Sequence, residues 1–268
     1  MYIAEIDSTN NLLKQKYLDQ EDLFTIRTDF QTAGRGQQGN GWESEKGKNL
    51  LFSTLLRDWN IPVARQFVIN EVVSLSIYHS VYQSLLPFVQ PDKNPVILSA
   101  LHIKWPNDLY YGDKKLAGIL IENAWEGSSV SRSVVGIGLN VNQTIFHSSA
   151  PNPISLRQIV DVEWNVETIL QRFIQSITSY KSLFTSISAP YDTLHAEYFS
   201  KLYRSHGYYL WEERDVSLAP SMPQFSQTNR QFRAKMDAVL PSGELVLITE
   251  QQEKRTYHFK QVRYVFPS

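Results

Sequence analysis

The stretch Gln31-Thr32-Ala33-Gly34-Arg35-Gly36-Gln37-Gln38-Gly39-Asn40-Gly41-Trp42 separates two runs that read as strands, Leu23 to Thr28 before it and Leu50 to Leu56 after it. A link of about twenty residues between two strands of a compact domain is uncommon unless it binds something. This one has the chemistry to do so. Its glycines let backbone N–H groups come close to a ligand, and the Arg35 guanidinium suits a carboxylate or a phosphate. Trp42 can close over a flat ring. The loop hangs from a sheet, and the rest of the chain is read outward from it.

Upstream, Tyr2 to Ile6 alternates as a short strand, and Asp7-Ser8-Thr9-Asn10 supplies capping side chains for a helix reaching about Tyr17. The same hydroxyls and amide can hold a small polar ligand at the helix start. Downstream, Pro62 fits a first helical turn, and Val63 to about Leu86 is periodic enough for a long, largely buried helix. Pro87, Pro91 and Pro95 mark a surface turn. A second distinctive stretch follows, His102-Ile-Lys104-Trp-Pro106-Asn107-Asp108-Leu-Tyr-Tyr-Gly-Asp113. Pro106 restricts Trp105 to an extended conformation and Asn107-Asp108 favour a turn, so Lys104 stands at a strand end on a stiff segment. Lys114 to Glu122 and Val134 to Asn142 read as two more strands, in which Gly118, Gly136 and Gly138 predict close approach of a backbone or a ligand.

From Ile154 the pattern is helical: a short segment to about Asp161, a longer one from Val166 to about Ser186, and a third from Tyr191 to Tyr203. The long one carries Ile169, Phe173, Ile177, Tyr180 and Phe184 on one face. After His206-Gly207 come short alternating runs, Tyr208 to Trp211, Gln231 to Leu240, Glu244 to Thr249 and Lys254 to Phe266, with Pro241-Ser242-Gly243 as a hairpin turn. The spacing predicts a small β-barrel, and hence two units, residues 1–205 and 206–268.

Composition limits the chemistry. The 268 residues carry a formal net charge of −1 and are 42% hydrophobic, ordinary for a soluble globular chain and without the overall basic excess of a nucleic-acid binder. The absence of cysteine excludes disulfides, thiolate metal sites and a cysteine nucleophile, and it fits a reducing cytoplasm. The six histidines show no metal-ligand spacing, so no metal site is expected from side chains. The first residues lack the regions of a signal peptide, and no apolar run has the length of a membrane span. The expectation is a cytoplasmic protein without membrane or DNA partners.

In order, Ser8-Thr9-Asn10, Gly34-Arg35-Gly36 with Gly39, Lys104-Trp-Pro-Asn-Asp108, Lys115-Leu-Ala-Gly-Ile-Leu120 and Gly136-Ile-Gly-Leu-Asn140-Val-Asn142 resemble the biotin protein ligases. The resemblance spans essentially the whole chain. It implies an α/β (α+β) catalytic domain like that of class II aminoacyl-tRNA synthetases and biotin/lipoate ligases, followed by an SH3-like β-barrel. Some members carry an N-terminal winged helix that represses transcription; a catalytic strand beginning at Tyr2 implies a short form without it.

The implied reaction joins biotin to a lysine of a biotin carboxyl carrier domain, such as that of acetyl-CoA carboxylase, through biotinyl-5′-AMP. Pyrophosphate leaves first, then AMP. By resemblance, Lys104 and Arg35 are the catalytic cations. Biotin is implied to contact Ser8, Thr9, Asn10 and Gln31, the loop residues Gly34, Arg35, Gly36 and Gln37, Lys104, and the wall Gly118, Ile119 and Leu120. ATP or the adenylate is implied to contact Arg35, Trp42, Lys104, Asn107 and Asn140, with Mg²⁺ held mostly by phosphates and water. The familiar bacterial pattern reads Gly-Arg-Gly-Arg, whereas this chain has Gln37 at the last place. Tighter ordering of residues 34 to 48 around biotin or the adenylate is expected. The edge strands of the catalytic sheet can pair with a second copy, as a homodimer, or with the acceptor. Two alternatives stand beside this reading: a lipoate or octanoate ligase or transferase of the same architecture, and a biotin sensor without turnover.

Overall fold

The computed structural model describes residues 1–36, 41–89, 97–147, 152–184, 191–214 and 230–266. Its strands and helices follow the periodicities of the sequence, with shifts at the ends. They are β1 (Tyr2–Ile6), α1 (Thr9–Lys16), β2 (Thr25–Gln31), β3 (Leu50–Pro62), α2 (Val68–Leu85), β4 (Leu101–Lys104), β5 (Asp108–Tyr111), β6 (Lys114–Glu126) and β7 (Ser129–Leu139). Next come α3 (Leu156–Val160), α4 (Val166–Phe184) and α5 (Tyr191–Ser200). The chain closes with β8 (Tyr209–Glu213), β9 (Gln231–Val239), β10 (Leu245–Thr249), β11 (Lys254–Tyr257) and β12 (Val262–Tyr264). The helix expected from Val63 starts instead as a 3₁₀ turn over Val63–Arg65 before the α-helix proper.

Seven strands form one sheet in the order β1-β2-β3-β7-β6-β5-β4, antiparallel except for the parallel pair β1–β2. The alternation of its side chains sends them to two different cores. On one face Leu55, Ile26 and Val134 meet Leu13 of α1. On the other, Phe52, Val135 and Ile137 join the much larger core built with α2 and α4. Helix α2 is buried nearly all round, from Val68 and Val72 to Ile77 and Val81, as befits a helix between a sheet and two further helices. Ser80 Oγ donates to the Ile169 carbonyl at 2.7 Å, and Phe52 meets Phe173 edge to face at 5.0 Å, which locks α4 to the layer.

The second sheet has the order β11-β10-β9-β8-β12 and fits an SH3-like domain. The sequence suggested a barrel; among the described residues β11 and β12 remain the two edges of an open antiparallel sheet. Its core is Trp211, fully buried, with Nε1 donating to the Ala234 carbonyl at 3.0 Å and the ring 4.4 Å from that of Tyr264. The β9–β10 hairpin reaches back to the first sheet. Gly243 has φ +105, and a Cβ there would lie 2.5 Å from the Phe67 ring, so only glycine fits both the turn and the contact. Its carbonyl accepts from Trp105 Nε1 at 3.1 Å. The segment bearing Lys104 is therefore tied to the second sheet as well as the first.

Candidate active site

The start of α1 builds the polar end of the site. Ser8 caps the helix by accepting from the Asn11 N–H at 3.5 Å, which leaves Thr9 and Asn10 buried in the first turn over β3. Gln31 Oε1, at the end of β2, accepts from the Thr9 N–H at 2.9 Å and from its hydroxyl at 3.1 Å. Thr9 Oγ1 also meets Ser53 Oγ at 2.6 Å, and Ser53 donates to Asn10 Oδ1. Asn10 Nδ2 donates to Glu122 at 3.0 Å, and Glu122 pairs with Lys14 at 2.7 Å. Burial pushes the Glu122 carboxyl up, but the bonds from Lys14 and Asn10 and the charges of Lys14 and Arg35 outweigh it, so its pKa falls below the ordinary value. Polar groups linked in this way hold one another in fixed directions. Glycine makes room for it: a Cβ on Gly136 would lie 2.2 Å from Asn10 Oδ1.

Opposite this end stands Lys104, the last residue of β4, followed by a cis Trp105–Pro106 bond. Its ammonium lies 5.1 Å and 5.2 Å from the ring centroids of Tyr110 and Tyr264, and among the described residues it forms no ion pair. Burial draws its pKa below the ordinary lysine value, with Asp108 opposing and Lys115 adding to the fall. Asp108 itself is paired with Lys115 at 2.6 Å. A half-desolvated cation facing π-systems keeps much of its field for whatever enters the cavity.

The β4–β5 turn is braced from behind by α2 and α5. Asn107 Nδ2 donates to Asn70 Oδ1 at 2.9 Å, the buried Tyr198 hydroxyl donates to the Pro106 carbonyl at 2.7 Å, and the Ile103 N–H donates to the Lys201 carbonyl at 2.9 Å. Two His–Glu pairs of opposite sense join the helices, Glu71 with His195 at 2.6 Å and His79 with Glu197 at 2.7 Å. The hydrogen bond to buried Glu71 raises the His195 pKa against the effect of burial. A raised folded-state value gives stability that is complete below the unfolded pKa of about 6.5 and is lost as pH climbs through the folded value. His195→Ala is thus expected to lower stability at pH 6 by about 1–3 kcal/mol, less than for a fully buried pair because the imidazole is a third exposed. The difference from wild type should shrink by pH 8.5; thermal unfolding at the two pH values measures it.

Between the polar end and Lys104 lies a cavity of about 170 Å³. One wall is the bare backbone of Gly118 and Gly138 with Ile119 and Leu120 beside it. The Trp42 indole packs on that wall: Cβ atoms on Gly118 and Gly138 would lie 2.7 Å and 2.4 Å from its ring. Its Nε1 is buried without a hydrogen-bond partner among the described residues. Trp42 is fastened at its backbone, where its N–H donates to the Gly34 carbonyl at 3.0 Å beside the Arg35–Gly41 bridge.

The structure brings Ser8, Thr9, Asn10 and Gln31, the loop residues Arg35, Gly36 and Trp42, and Lys104 and Asn107 together in the lining of one cavity. Gly34 shapes the loop instead of lining the cavity. Arg35 lines it, but its guanidinium donates to Asn11 Oδ1 and lies 3.9 Å from Glu122. Asn140 stands elsewhere: its amide donates to the Ile154 carbonyl at 3.1 Å and the Lys115 carbonyl at 3.5 Å, anchoring backbone behind the wall. Asn142 does the same with Trp164 in both directions. Gln37 and Gly39 lie outside the described residues. Residues that sequence reasoning did not place at the site are Ser53 and Glu122 in the polar network, Asp108 and Lys115 on the cavity wall, and Phe259 and Lys260 from the second sheet. Strand alternation could have drawn Ser53 to the Thr9 face; nothing local marks Phe259 or Lys260.

Comparison with known proteins bears on this geometry. The family model described as "Biotin/lipoate A/B protein ligase family" matches residues 2–140, which hold the glycine loop, Lys104 and the glycine wall. The bifunctional ligase/repressor BirA of Escherichia coli is 30% identical over 190 residues, covering 69% of this chain. The biotin–[acetyl-CoA-carboxylase] ligase of Mycobacterium tuberculosis is 32% identical over 143 residues, covering 53% of this chain. The chain spans 54% and 48% of those two proteins. Among solved structures, the biotin protein ligase from Aquifex aeolicus in complex with biotin and ATP superimposes with a TM-score of 0.70 at 21% identity, over 99% of this chain and 98% of that one. The Leishmania major enzyme with biotinyl-5-AMP gives 0.63 at 17% identity, over 96% and 97%. These likenesses show the fold. By the match over Tyr2 to Asn140, more than half its length, this chain belongs to the biotin/lipoate A/B protein ligase family.

Proposed function

We propose that the chain is an ATP-dependent biotin–protein ligase that acylates a lysine of a biotin carboxyl carrier domain. The observation that carries the reading is the pairing, in one cavity, of the Thr9–Gln31–Asn10 polar end with the Lys104 ammonium, across an apolar wall of Gly118 and Ile119. A cyclic urea needs donors and acceptors in fixed directions, an alkyl chain needs a smooth apolar wall, and a terminal carboxylate needs a cation. Relatives named for biotin ligation, and a solved neighbour holding biotin and ATP, support the same substrates.

In the first step a biotin carboxylate oxygen attacks the α-phosphorus of Mg-ATP, the bond to the β-phosphate bridge breaks, and pyrophosphate leaves. Lys104 offsets the negative charge that gathers where the two anions meet. In the second step the neutral amine of the acceptor lysine attacks the acyl carbon, AMP departs, and the amine proton passes to solvent. Here the protein orients the reactants and keeps water from a reactive mixed anhydride. Arg35 and Trp42 belong to the rim of that enclosure. Mg²⁺ arrives with the nucleotide.

We take residues 1–205 as the catalytic unit and 206–268 as the smaller one, and a cytoplasmic setting suits a chain without cysteine. The outer edge of β1 offers backbone groups for pairing with an acceptor strand or a second copy. The test is incubation with biotin, Mg-ATP and a carrier domain. One pyrophosphate and one biotinyl-lysine should form per turnover, while lipoate or octanoate in place of biotin should give little of either product. Absence of both products with biotin would overturn the proposal.

A further inference from the structure

Two side chains outside the cavity lining, Ser53 of β3 and Glu122 of β6, hold a third that belongs to it. The Asn10 amide lies between them. Its Nδ2 donates to Glu122 Oε2 at 3.0 Å, and its Oδ1 accepts from Ser53 Oγ. The other carboxylate oxygen, Oε1, pairs with Lys14 at 2.7 Å. Burial raises the Glu122 pKa, but the bonds from Lys14 and Asn10 bring it below the ordinary value, so at neutral pH the group is a carboxylate and only accepts.

The proton count orders the neighbouring groups. An amide can present its oxygen or its NH2 to a neighbour, and a carboxylate admits only the NH2. Asn10 Oδ1 is thereby turned to Ser53 and takes its single hydroxyl proton. Ser53 Oγ has only lone pairs left for Thr9 Oγ1, 2.6 Å away, so the Thr9 proton lies in that contact. Gln31 is fixed separately, because its Oε1 accepts from the Thr9 N–H at 2.9 Å. In this order Thr9 Oγ1 offers the cavity lone pairs and no proton, while the NH2 groups of Asn10 and Gln31 are donors. A cyclic urea, with N–H and C=O side by side, needs both kinds of partner in set places. A dithiolane or a plain alkyl acid needs neither.

We propose that Glu122 is a positioning residue that sets the polarity of the acid-recognition end: through Asn10 and Ser53 it keeps Asn10 a donor and Thr9 an acceptor, and so selects a cyclic urea. This rests on the ligase reading above. Glu122→Gln keeps the shape and removes the constraint. With its oxygen drawn to the Lys14 ammonium, the new amide meets Asn10 with an NH2 group, so the Asn10 amide turns over and the proton order through Ser53 to Thr9 is lost.

The experiment uses the full chain as wild type, Glu122→Gln, Ser53→Ala and the double variant. Calorimetry measures binding of biotin and of Mg-ATP, and pyrophosphate release gives kcat and KM. Glu122→Gln is expected to weaken biotin binding and raise its KM by about tenfold or more, as for one mismatched buried hydrogen bond, with kcat and the affinity for ATP within about threefold of wild type. Ser53→Ala should give a similar loss, and in its background Glu122→Gln should add less than about threefold, because the chain of protons is already cut. Losses that multiply in the double variant, or equal biotin binding by wild type and Glu122→Gln, overturn the proposal. A loss confined to kcat also overturns it and assigns Glu122 to Arg35, which lies 3.9 Å from the same oxygen. Nuclear Overhauser contacts of the Asn10 NH2 protons give a readout without ligand: they should run to the Glu122 side chain in wild type and to Ser53 in Glu122→Gln. The same contacts in both proteins overturn the proposal. If wild type binds no biotin while those contacts switch, the ligase reading fails and the hold of Glu122 on Asn10 stands.

Discussion

Lys104→Met should reduce pyrophosphate release by about 10²–10³-fold, the usual consequence of deleting one charge-stabilising donor from a water-poor site, or about 3–4 kcal/mol of the barrier. The fold should be untouched. The ammonium forms no ion pair among the described residues, and burial has already lowered its pKa, so a methionine of similar length removes a desolvated charge and leaves no partner carboxylate stranded. The melting temperature is expected to stay level or rise while turnover collapses. That divergence separates a catalytic role from a structural one, because loss of a structural lysine would lower both. The direction of the shift adds a pH signature: wild-type adenylate formation should begin to fail, as the ammonium deprotonates, at a pH below the ordinary lysine value of 10.5. A stopped assay of pyrophosphate across pH, beside a melting curve of each protein, supplies both measurements. A variant that releases pyrophosphate at the wild-type rate would refute the assignment of Lys104.

Trp211→Ala should cost about 3–5 kcal/mol of stability, the range for truncating a fully buried aromatic side chain. The loss would reach the cavity. Trp211 supports Tyr264 at a ring separation of 4.4 Å, and Tyr264 is one of the two rings facing Lys104. Denaturant unfolding of wild type and variant gives the energetic difference, and adenylate formation under native conditions should fall with it. A loss below about 1 kcal/mol would mean that the second sheet closes over the hole, or that its core contributes little to the whole. A conservative Trp211→Phe retains most of the packing but drops the hydrogen bond to Ala234, and should fall between the two.

Much of the catalytic layer was legible because its signals are local. Alternation marked Tyr2 to Ile6 and the strands around Gly118 and Gly136, the Asp7-Ser8-Thr9-Asn10 cap marked α1, and helical spacing marked the buried face of α4. The strand glycines were read as places of close approach. In the structure the atoms that approach are side chains of the protein itself, Asn10 over Gly136 and Trp42 over Gly118 and Gly138. Asn140 illustrates the opposite limit. Its motif suggested a nucleotide contact, yet its amide is directed to two backbone carbonyls, a choice set by where the chain returns at Ile154. An amide is equally suited to a ligand or a carbonyl, so residue type alone could not decide between them.

By itself the sequence determined the order of the elements, the family motifs and the residue types available for the chemistry: a glycine loop, a lysine at a stiff strand end, and hydroxyl and amide groups at a helix start. These depend on φ, ψ and period, which neighbours along the chain set. Only the tertiary structure decided that Ser53 and Glu122 complete the polar end, that Tyr198 and Asn70 brace the turn of Lys104, and that Lys260 enters from the other sheet. Such contacts join residues tens to more than a hundred positions apart. Burial and charge act through distance in space, and it is packing of the two sheets that creates those distances.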